Sequence, residues 1–344
     1  MKLYFGGPII TMEEPLIAES IVFDKKIHFA GDLKKAKEKF PEAVPIDLKG
    51  KTLLPGFIDT HAHLSFAGEM VTQPSVFHCT SIDEVLNIIS REVEKLGEQD
   101  VLFINGYAGM PMAEARNLTL EEMDNVAPNH PLVLRTASTH GTLVNSRALS
   151  LIEKEMATIG LFLDEKDRKE GYLRNEANLF AFGMAPKWMN EEQKRIAREA
   201  IFNSCLRNGI VSVHSLEGRN QKEDPDILYW IKQKGKTPFD VRIFYQTTDV
   251  DEVLRLGLKQ IGGCFHCLLD GDLDPGTAAF REPYANNSNN YGVLYFTDED
   301  LEKFFTKAHL ADLQICMHAI GDRAIEQAQV RRSEERRVGK ECRS

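Results

Sequence analysis

Two histidines separated by one residue, His61 and His63, are the part of this sequence best suited to chemistry. In an extended chain, side chains at positions i and i+2 leave the same face, roughly 6.5–7 Å apart, so both imidazoles can reach one metal ion. Zinc binds histidine nitrogens at about 2.0–2.1 Å, and a catalytic site keeps one position open for water. Two unrelated histidines on a surface strand are the alternative. The apolar residues 53–58 favour the metal site, because they predict a buried strand that ends where parallel α/β proteins keep their sites.

Several spaced segments carry a resemblance to a known family. Residues 55–64, Pro-Gly-Phe-Ile-Asp-Thr-His-Ala-His-Leu, resemble the first barrel strand of the amidohydrolase superfamily. Residues 140–149, the Asp-Gly at 270–271 with Thr-Ala-Ala at 277–279, and residues 317–325 resemble its branch that contains formamide deformylases. The likeness runs from the N-terminus to about Val330. It implies a metal-dependent hydrolase on a (β/α)8 TIM-type barrel, incomplete here, with a small N-terminal β-sandwich portion.

The resemblance also implies a set of metal ligands. His61, His63 and His318 match the family's histidines, and the metal is one or two divalent ions, with zinc as the default because histidine ligation suits it. For the ligand on a middle strand, His266 or Cys264 is a candidate substitute, since strand alternation places both on one face. Ordinary packing of a half-buried strand is the alternative for these two residues.

Four further residues are candidates for the site. His140 and Asn145 match a family segment at the barrel mouth, where they would orient a substrate carbonyl, although Asn145 equally suits the cap of a helix. Asp59 alternates onto the face of His61, and a role in supporting the ligands is expected. Asp322 is expected either to support the ligands or to cap the helix that follows.

The C-terminal end is expected to be incomplete. The family's second late histidine and its general-base aspartate would lie beyond Val330, so the catalytic base is not assigned to any residue. Residues 331–344 resemble the translation of a sequencing adapter, and a charged helical terminus is the alternative. We therefore expect a C-terminally truncated enzyme that is impaired in turnover.

Three functions remain to be compared. The first is hydrolysis of a carbon–nitrogen bond in an amide or formamide by a metal-activated water. The second is a non-catalytic metal-binding role. The third is hydrolysis of an ester or phosphoester on the same scaffold, because a fold does not determine the bond that is cleaved.

Composition narrows the class of partner. The chain has 344 residues, of which 42% are hydrophobic and 27% charged, as in a globular protein with a large core. Its net charge of -10 argues against a nucleic-acid surface. The six cysteines are scattered, including a lone Cys264-x-x-Cys267 that we interpret as buried thiols, and no signal or membrane segment is visible. We expect a cytoplasmic protein with a small-molecule substrate and no membrane partner, and a homo-oligomer is compatible with these observations.

The order of elements predicts three regions. Residues 1–52 contain short strands typical of a small β-sandwich portion, residues 53–330 alternate strands and helices as in a parallel sheet wrapped by helices, and residues 331–344 are the tail. Residues of about 105–187 form an insertion. Helices are predicted over 82–96, capped by Ser81, and over 298–308, capped by Thr297.

Overall fold

The structure, a computed structural model, describes residues 1–98, 100–108, 112–219, 224–273 and 276–335, without the side chains of His266 and of residues 331–335. Its contacts divide the chain into two compact units. One unit comprises Met1–Ile58 and Gly209–Val211, and the other holds the remaining residues from Asp59 onward. In the described part of the chain, no helix is long and apolar enough to cross a bilayer, and the five cysteines are free thiols.

The first unit contains one mixed sheet and one helix. Its strands are β1 (Lys2–Ile10), β2 (Ile17–Phe23), β3 (Ile27–Gly31) and β4 (Val44–Asp47), in the order β3-β2-β1-β4. Helix α1 (Leu33–Lys39) begins after Asp32, whose side chain accepts a hydrogen bond from the backbone N–H of Lys35. The β-sandwich predicted for this region is not confirmed, because the four strands form a single sheet. The pairing of β1 with β2 is irregular between Phe5 and Ile9.

The second unit holds most of a five-stranded sheet in the order β13-β12-β11-β10-β5. Strands β10, β11, β12 and β13 pair in parallel. The bounds of this sheet are β5 (Phe57–Ala62), β10 (Ile210–Glu217), β11 (Asp240–Tyr245), β12 (Gln260–Leu268) and β13 (Gln314–His318). Strand β5 lies at the edge, and Phe57 and Ile58 are 55% and 58% exposed, so the prediction of a buried strand here is wrong. The reason is that an edge strand has a neighbour on one side only.

A second sheet is built mostly from the predicted insertion. Its order is β6-β7-β8-β9, with bounds β6 (Leu102–Tyr107), β7 (Leu132–Thr136), β8 (Thr142–Val144) and β9 (Tyr172–Leu173). Strands β6 and β7 are buried throughout. Two apolar clusters pack against this sheet, one around Ile104 and Leu134 and the other around Phe103 and Ile152. The insertion therefore has a core of its own.

Helices separate most of these strands, which confirms the predicted α/β class. Ser81 caps α3 by accepting from Glu84, and Thr297 caps α11 by accepting from Asp300, both as the sequence predicts. The helices are α2 (Leu64–Thr72), α3 (Ile82–Val93), α4 (Leu120–Val126), α5 (Ser146–Thr158), α6 (Glu165–Glu170), α7 (Asn175–Trp188), α8 (Glu191–Arg207), α9 (Pro225–Gln233), α10 (Val250–Arg255), α11 (Asp298–Leu310) and α12 (Asp322–Glu335).

Candidate metal centre

The two histidines that the sequence singles out lie together. His61 is on β5, and His63 occupies the N-cap position of α2 immediately after the strand. Their ring centroids are 5.5 Å apart, with an interplanar angle of 69°. The strand-to-helix junction thus brings two imidazoles to one place, as the i, i+2 spacing predicts.

The ring of His63 is fixed by the neighbouring strand. Its Nδ1–H donates to the backbone carbonyl of Leu216 on β10, at 3.0 Å. Burial, together with the nearby His61, lowers the pKa of His63 to about 4. The imidazole is therefore neutral at physiological pH, with its proton on Nδ1 and the lone pair on Nε2, and this is the form that binds a metal ion.

Strand β12 brings a thiol to the same place through an irregular segment. Gly263 pairs with Met317 of β13, but Leu268 pairs with the very next residue, His318, so the residues between them bulge out of the sheet. The Sγ atom of Cys264 lies 4.0 Å from Nε2 of His61. The ligand atoms of His61, His63 and Cys264 are within 4.8 Å of one another. Because the segment bulges, regular strand alternation does not apply to it, and the thiol of Cys264 reaches the histidines through the bulge.

His318 approaches the thiol from the other side. Its Nδ1 is 4.0 Å from Sγ of Cys264, so His318 and His61 contact the same thiol. Its Nε2 is buried and has no hydrogen-bond partner among the described residues. A buried nitrogen without a hydrogen-bond partner costs free energy, and a histidine nitrogen in this state suits a metal ligand.

These residues fit a divalent metal ion. Two ligand atoms bonded to one zinc ion at about 2.0–2.3 Å are at most roughly 4.6 Å apart. The two 4.0 Å separations from the Cys264 thiol fall inside that limit. Burial raises the pKa of Cys264 to about 12, so this thiol would have to lose its proton to bind an ion. The side chain of His266, the other candidate for the middle-strand ligand, lies outside the described part of the structure.

His140 lies next to His318. Their ring centroids are 5.8 Å apart, and Nε2 of His140 is 3.7 Å from a carboxylate oxygen of Asp272. The side chain of His140 is about one fifth exposed. His140 therefore sits at the edge of the histidine cluster, where a bound molecule would meet it.

The side chain of Asn145 is hydrogen-bonded to backbone groups around it. It is fully buried, its Oδ1 accepts from the N–H groups of Leu132 and Ala148, and its Nδ2 donates to the carbonyls of Ala127 and His130. All its hydrogen-bonding positions are thereby filled. Of the two roles that the sequence leaves open, the structure favours the cap of α5 over contact with a substrate.

Two acidic residues predicted to support the site contact backbone instead of histidine rings. Oδ1 of Asp59 accepts from the N–H of His61 at 3.1 Å, which fixes the end of β5. Oδ1 of Asp322, the first residue of α12, accepts from the N–H of Arg281 at 3.0 Å. Asp59 therefore supports a histidine through its main chain, while Asp322 connects the start of α12 to the main chain of Arg281.

The role of Asp270 in holding the turn after His318 is not evident from the sequence. This residue is fully buried, and its carboxylate accepts from the N–H groups of Ile320 and Gly321 at 2.9 and 2.7 Å, and from that of Ala279 at 2.7 Å. The turn that follows His318 is thus held by one carboxylate. The signal in the sequence is the matched Asp-Gly at 270–271, which marks the position without revealing its partner.

Comparison with known proteins identifies a family for this chain. The model of the Amidohydrolase family matches residues 45–341. The putative amidohydrolase YtcJ of Bacillus subtilis is 28% identical over 341 residues, covering 94% of this chain and 64% of that protein. N-substituted formamide deformylase of Arthrobacter pascens is 42% identical over 118 residues, which are 33% of this chain and 21% of that protein. The chain therefore spans less than two thirds of the length of these curated relatives.

A solved structure shares the fold. An uncharacterized metal-dependent hydrolase from Pyrococcus horikoshii superposes with a TM-score of 0.73 at 22% identity. The match covers 97% of this chain and 68% of that one.

Proposed function

Because the chain belongs to the amidohydrolase family, we propose that it takes part in metal-dependent hydrolysis of a carbon–nitrogen bond in an amide or formamide. The observation that carries the proposal is that His61, His63 and Cys264 converge and that His318 contacts the same thiol, with one buried nitrogen of His318 lacking a partner among the described residues. We infer that the five-stranded sheet is part of a (β/α)8 barrel, whose strand ends are where such enzymes keep their sites.

The ligands are assigned from their contacts. His61 and His63 would hold a divalent ion, zinc by default since its ligand preferences include both imidazole and thiolate. Cys264 lies between that pair and His318, which is the position for a ligand shared by two ions. When bound, such an ion lowers the pKa of its water toward about 7 and polarises the scissile carbonyl.

The chain's own side chains prepare the site for that chemistry. The bond from Nδ1 of His63 to the carbonyl of Leu216 directs Nε2 toward the cluster and keeps the ring from rotating. The carboxylate of Asp270 fixes the turn after His318. His140 stands beside His318 and within 3.7 Å of a carboxylate oxygen of Asp272, where its ring can donate a hydrogen bond to a substrate carbonyl. The substrate is a small molecule.

Metal binding tests the proposal directly. Purified chain is titrated with Zn²⁺ against a chromophoric chelator, and bound metal is counted by mass spectrometry. We expect one or two equivalents, and more than about 100-fold weaker binding in His61→Ala/His63→Ala, since even removal of a residue that merely supports a ligand costs 10–100-fold. His28→Ala is the matched control, because His28 lies on β3 and pairs with Asp24.

A second measurement identifies the bond. Zinc-loaded protein is offered a formamide, an acetamide, a carboxylic ester and a phosphoester, and release of product is followed. Faster release from the two amides supports the proposal. Zinc binding with no turnover of any of the four would favour a non-catalytic metal protein, and preferential release from an ester or phosphoester would overturn the assigned bond. Unchanged zinc affinity in the double histidine variant would overturn the assigned site.

A further inference from the structure

A cavity of about 410 Å³ adjoins the histidine cluster. Its walls are largely apolar. They come mainly from α7 and from residues at and just after the end of α5, including Leu161, Leu179, Phe180 and Met184. Cavities of 300–1,000 Å³ with mainly apolar walls are typical of small-molecule sites. An apolar cavity of about 150 Å³ already accommodates benzene. This cavity is therefore large enough for a group bigger than one phenyl ring.

Two residues connect the cavity to the candidate metal centre. Phe265 lines the cavity, and its ring centroid is 5.9 Å from that of His63. Leu268 also lines it and pairs with His318 in the sheet. Phe265 lies in the bulge of β12 and has a φ of 46°, a conformation that side chains other than glycine rarely adopt. A molecule with its reactive bond at the histidines would thus place its remaining part against Phe265.

The two cationic side chains in the cavity wall each have a carboxylate partner. Lys187 pairs with Glu155 at 3.8 Å, and both are nearly half exposed, so they lie at the solvent side. Arg219 is 3% exposed and binds both carboxylate oxygens of Glu69, at 2.7 and 3.1 Å. The remaining charged lining residue is an acid, Glu176. Among the described lining residues, a substrate carboxylate would therefore meet no cation without a carboxylate partner, and burying it there would be costly.

We propose that this cavity selects uncharged amides whose substituent is a large apolar group, longer than a benzyl group, and that it rejects substrates with a carboxylate on that substituent. This inference rests on the proposed function, since it assumes that the bond is cleaved at the histidine cluster. It specifies the substituent of the substrate, which the histidine cluster does not contact.

The test measures binding without turnover. N-alkyl acetamides with chains of four to twelve carbons are titrated calorimetrically into the protein in the presence of a chelator, so that hydrolysis cannot consume the ligand. Each added methylene should tighten binding about 3- to 4-fold until the cavity is full, because burying one methylene is worth about 0.8 kcal/mol. N-(2-phenylethyl)acetamide should bind at least about ten times more tightly than N-acetylphenylalanine, which differs by one carboxylate.

Two variants change the volume of the cavity in opposite directions. Leu179→Trp, which fills it, should weaken binding of the octyl ligand at least about 10-fold, and Met184→Ala, which enlarges it, should shift the preferred chain to longer ligands. Ile196→Trp on α8 is the control, since Ile196 does not line this cavity. Circular dichroism and thermal melts check that each variant folds.

The outcomes separate this inference from the proposed function. Affinity that is independent of chain length, equal binding of the carboxylated ligand, or an unchanged affinity in Leu179→Trp would each overturn the cavity's role. Because the titration contains no metal, these results leave the zinc measurements standing. Loss of zinc binding alone would overturn the proposed function and leave the cavity's preference measurable.

Discussion

The substitution Glu69→Gln tests whether a buried ion cluster holds the helix that follows His63. Glu69 lies on α2 and is 4% exposed. Its carboxylate binds Arg219 through two hydrogen bonds, of 2.7 and 3.1 Å, and Arg135 through one of 3.2 Å. The pKa of Arg135 falls to about 10 because burial disfavours its charge. A neutral glutamine would leave two buried guanidinium groups without the carboxylate that both of them share.

The expected loss of stability is large. Removing one partner of a buried ion pair typically costs about 3–5 kcal/mol, because the remaining charge stays desolvated. Here two cations lose the same partner, and we expect the loss of unfolding free energy to reach at least the lower end of that range. Arg135 also stacks over the rings of Phe66, Phe103 and Phe182, with its guanidinium carbon 4.9–5.3 Å from their centroids. Those contacts persist in the variant and limit the loss.

Urea denaturation at pH 7.5, followed by circular dichroism, measures this effect. The midpoint should fall while the slope m stays unchanged, as expected for a change in stability alone. The matched control is Glu191→Gln, because Glu191 pairs with Lys194 but has a side chain that is 84% exposed. Its effect should stay within about 0.5 kcal/mol. Arg135→Met should cost less than Glu69→Gln, since it leaves the pair of Glu69 and Arg219 intact.

A small loss of stability in Glu69→Gln would contradict the role given to this ion cluster. A loss below about 1 kcal/mol in Glu69→Gln would mean that the two arginines find other partners or water, so the cluster does not hold α2. A cost of Arg135→Met equal to or above that of Glu69→Gln would refute the idea that the shared carboxylate is the centre of the cluster.

Three further predictions concern single residues. Burial and the nearby Asp226 raise the pKa of Glu217 from 4.5 to about 7, so the native state binds more protons than the unfolded state between these values. The free energy of unfolding should therefore fall as the pH rises from 4.5 to 7, and Glu217→Gln should reduce that slope in urea titrations. Asp270→Asn should lose about 2–3 kcal/mol in the same assay, because an amide cannot accept from all three N–H groups, and a loss under 1 kcal/mol would contradict the role given to the turn. Gly68→Ala should lower the melting temperature although alanine has the better helix propensity, because a Cβ would lie 2.5 Å from the carbonyl oxygen of Ala197. An unchanged or raised melting temperature would contradict this.

Elements with strong local signals could be predicted from the sequence. Ser81 and Thr297 were identifiable as caps because each precedes an amphipathic run. The convergence of His61 and His63 follows from local geometry alone. Helix α1 was missed because its seven residues are too few to show a period, although Asp32 is a recognisable cap.

Features that depend on pairing between distant segments could not be predicted. The bulge between Gly263 and Leu268 exists only relative to β13, so the sequence argument assumed regular alternation and gave no preference for Cys264. The edge position of β5, which exposes Phe57, depends likewise on the order of strands. The bonds from Asp270 to Ile320 and Gly321 join residues some fifty positions apart.

The bulge in β12 has a consequence for how this protein can change. Cys264, next to the histidines, and Phe265, in the cavity wall, are consecutive residues of one strained segment. Any substitution or length change that moves one therefore displaces the other. Under the proposed function, a change of substrate through this segment would also alter a metal ligand, so changes of selectivity should arise more easily from α7, which lines the cavity without belonging to that segment.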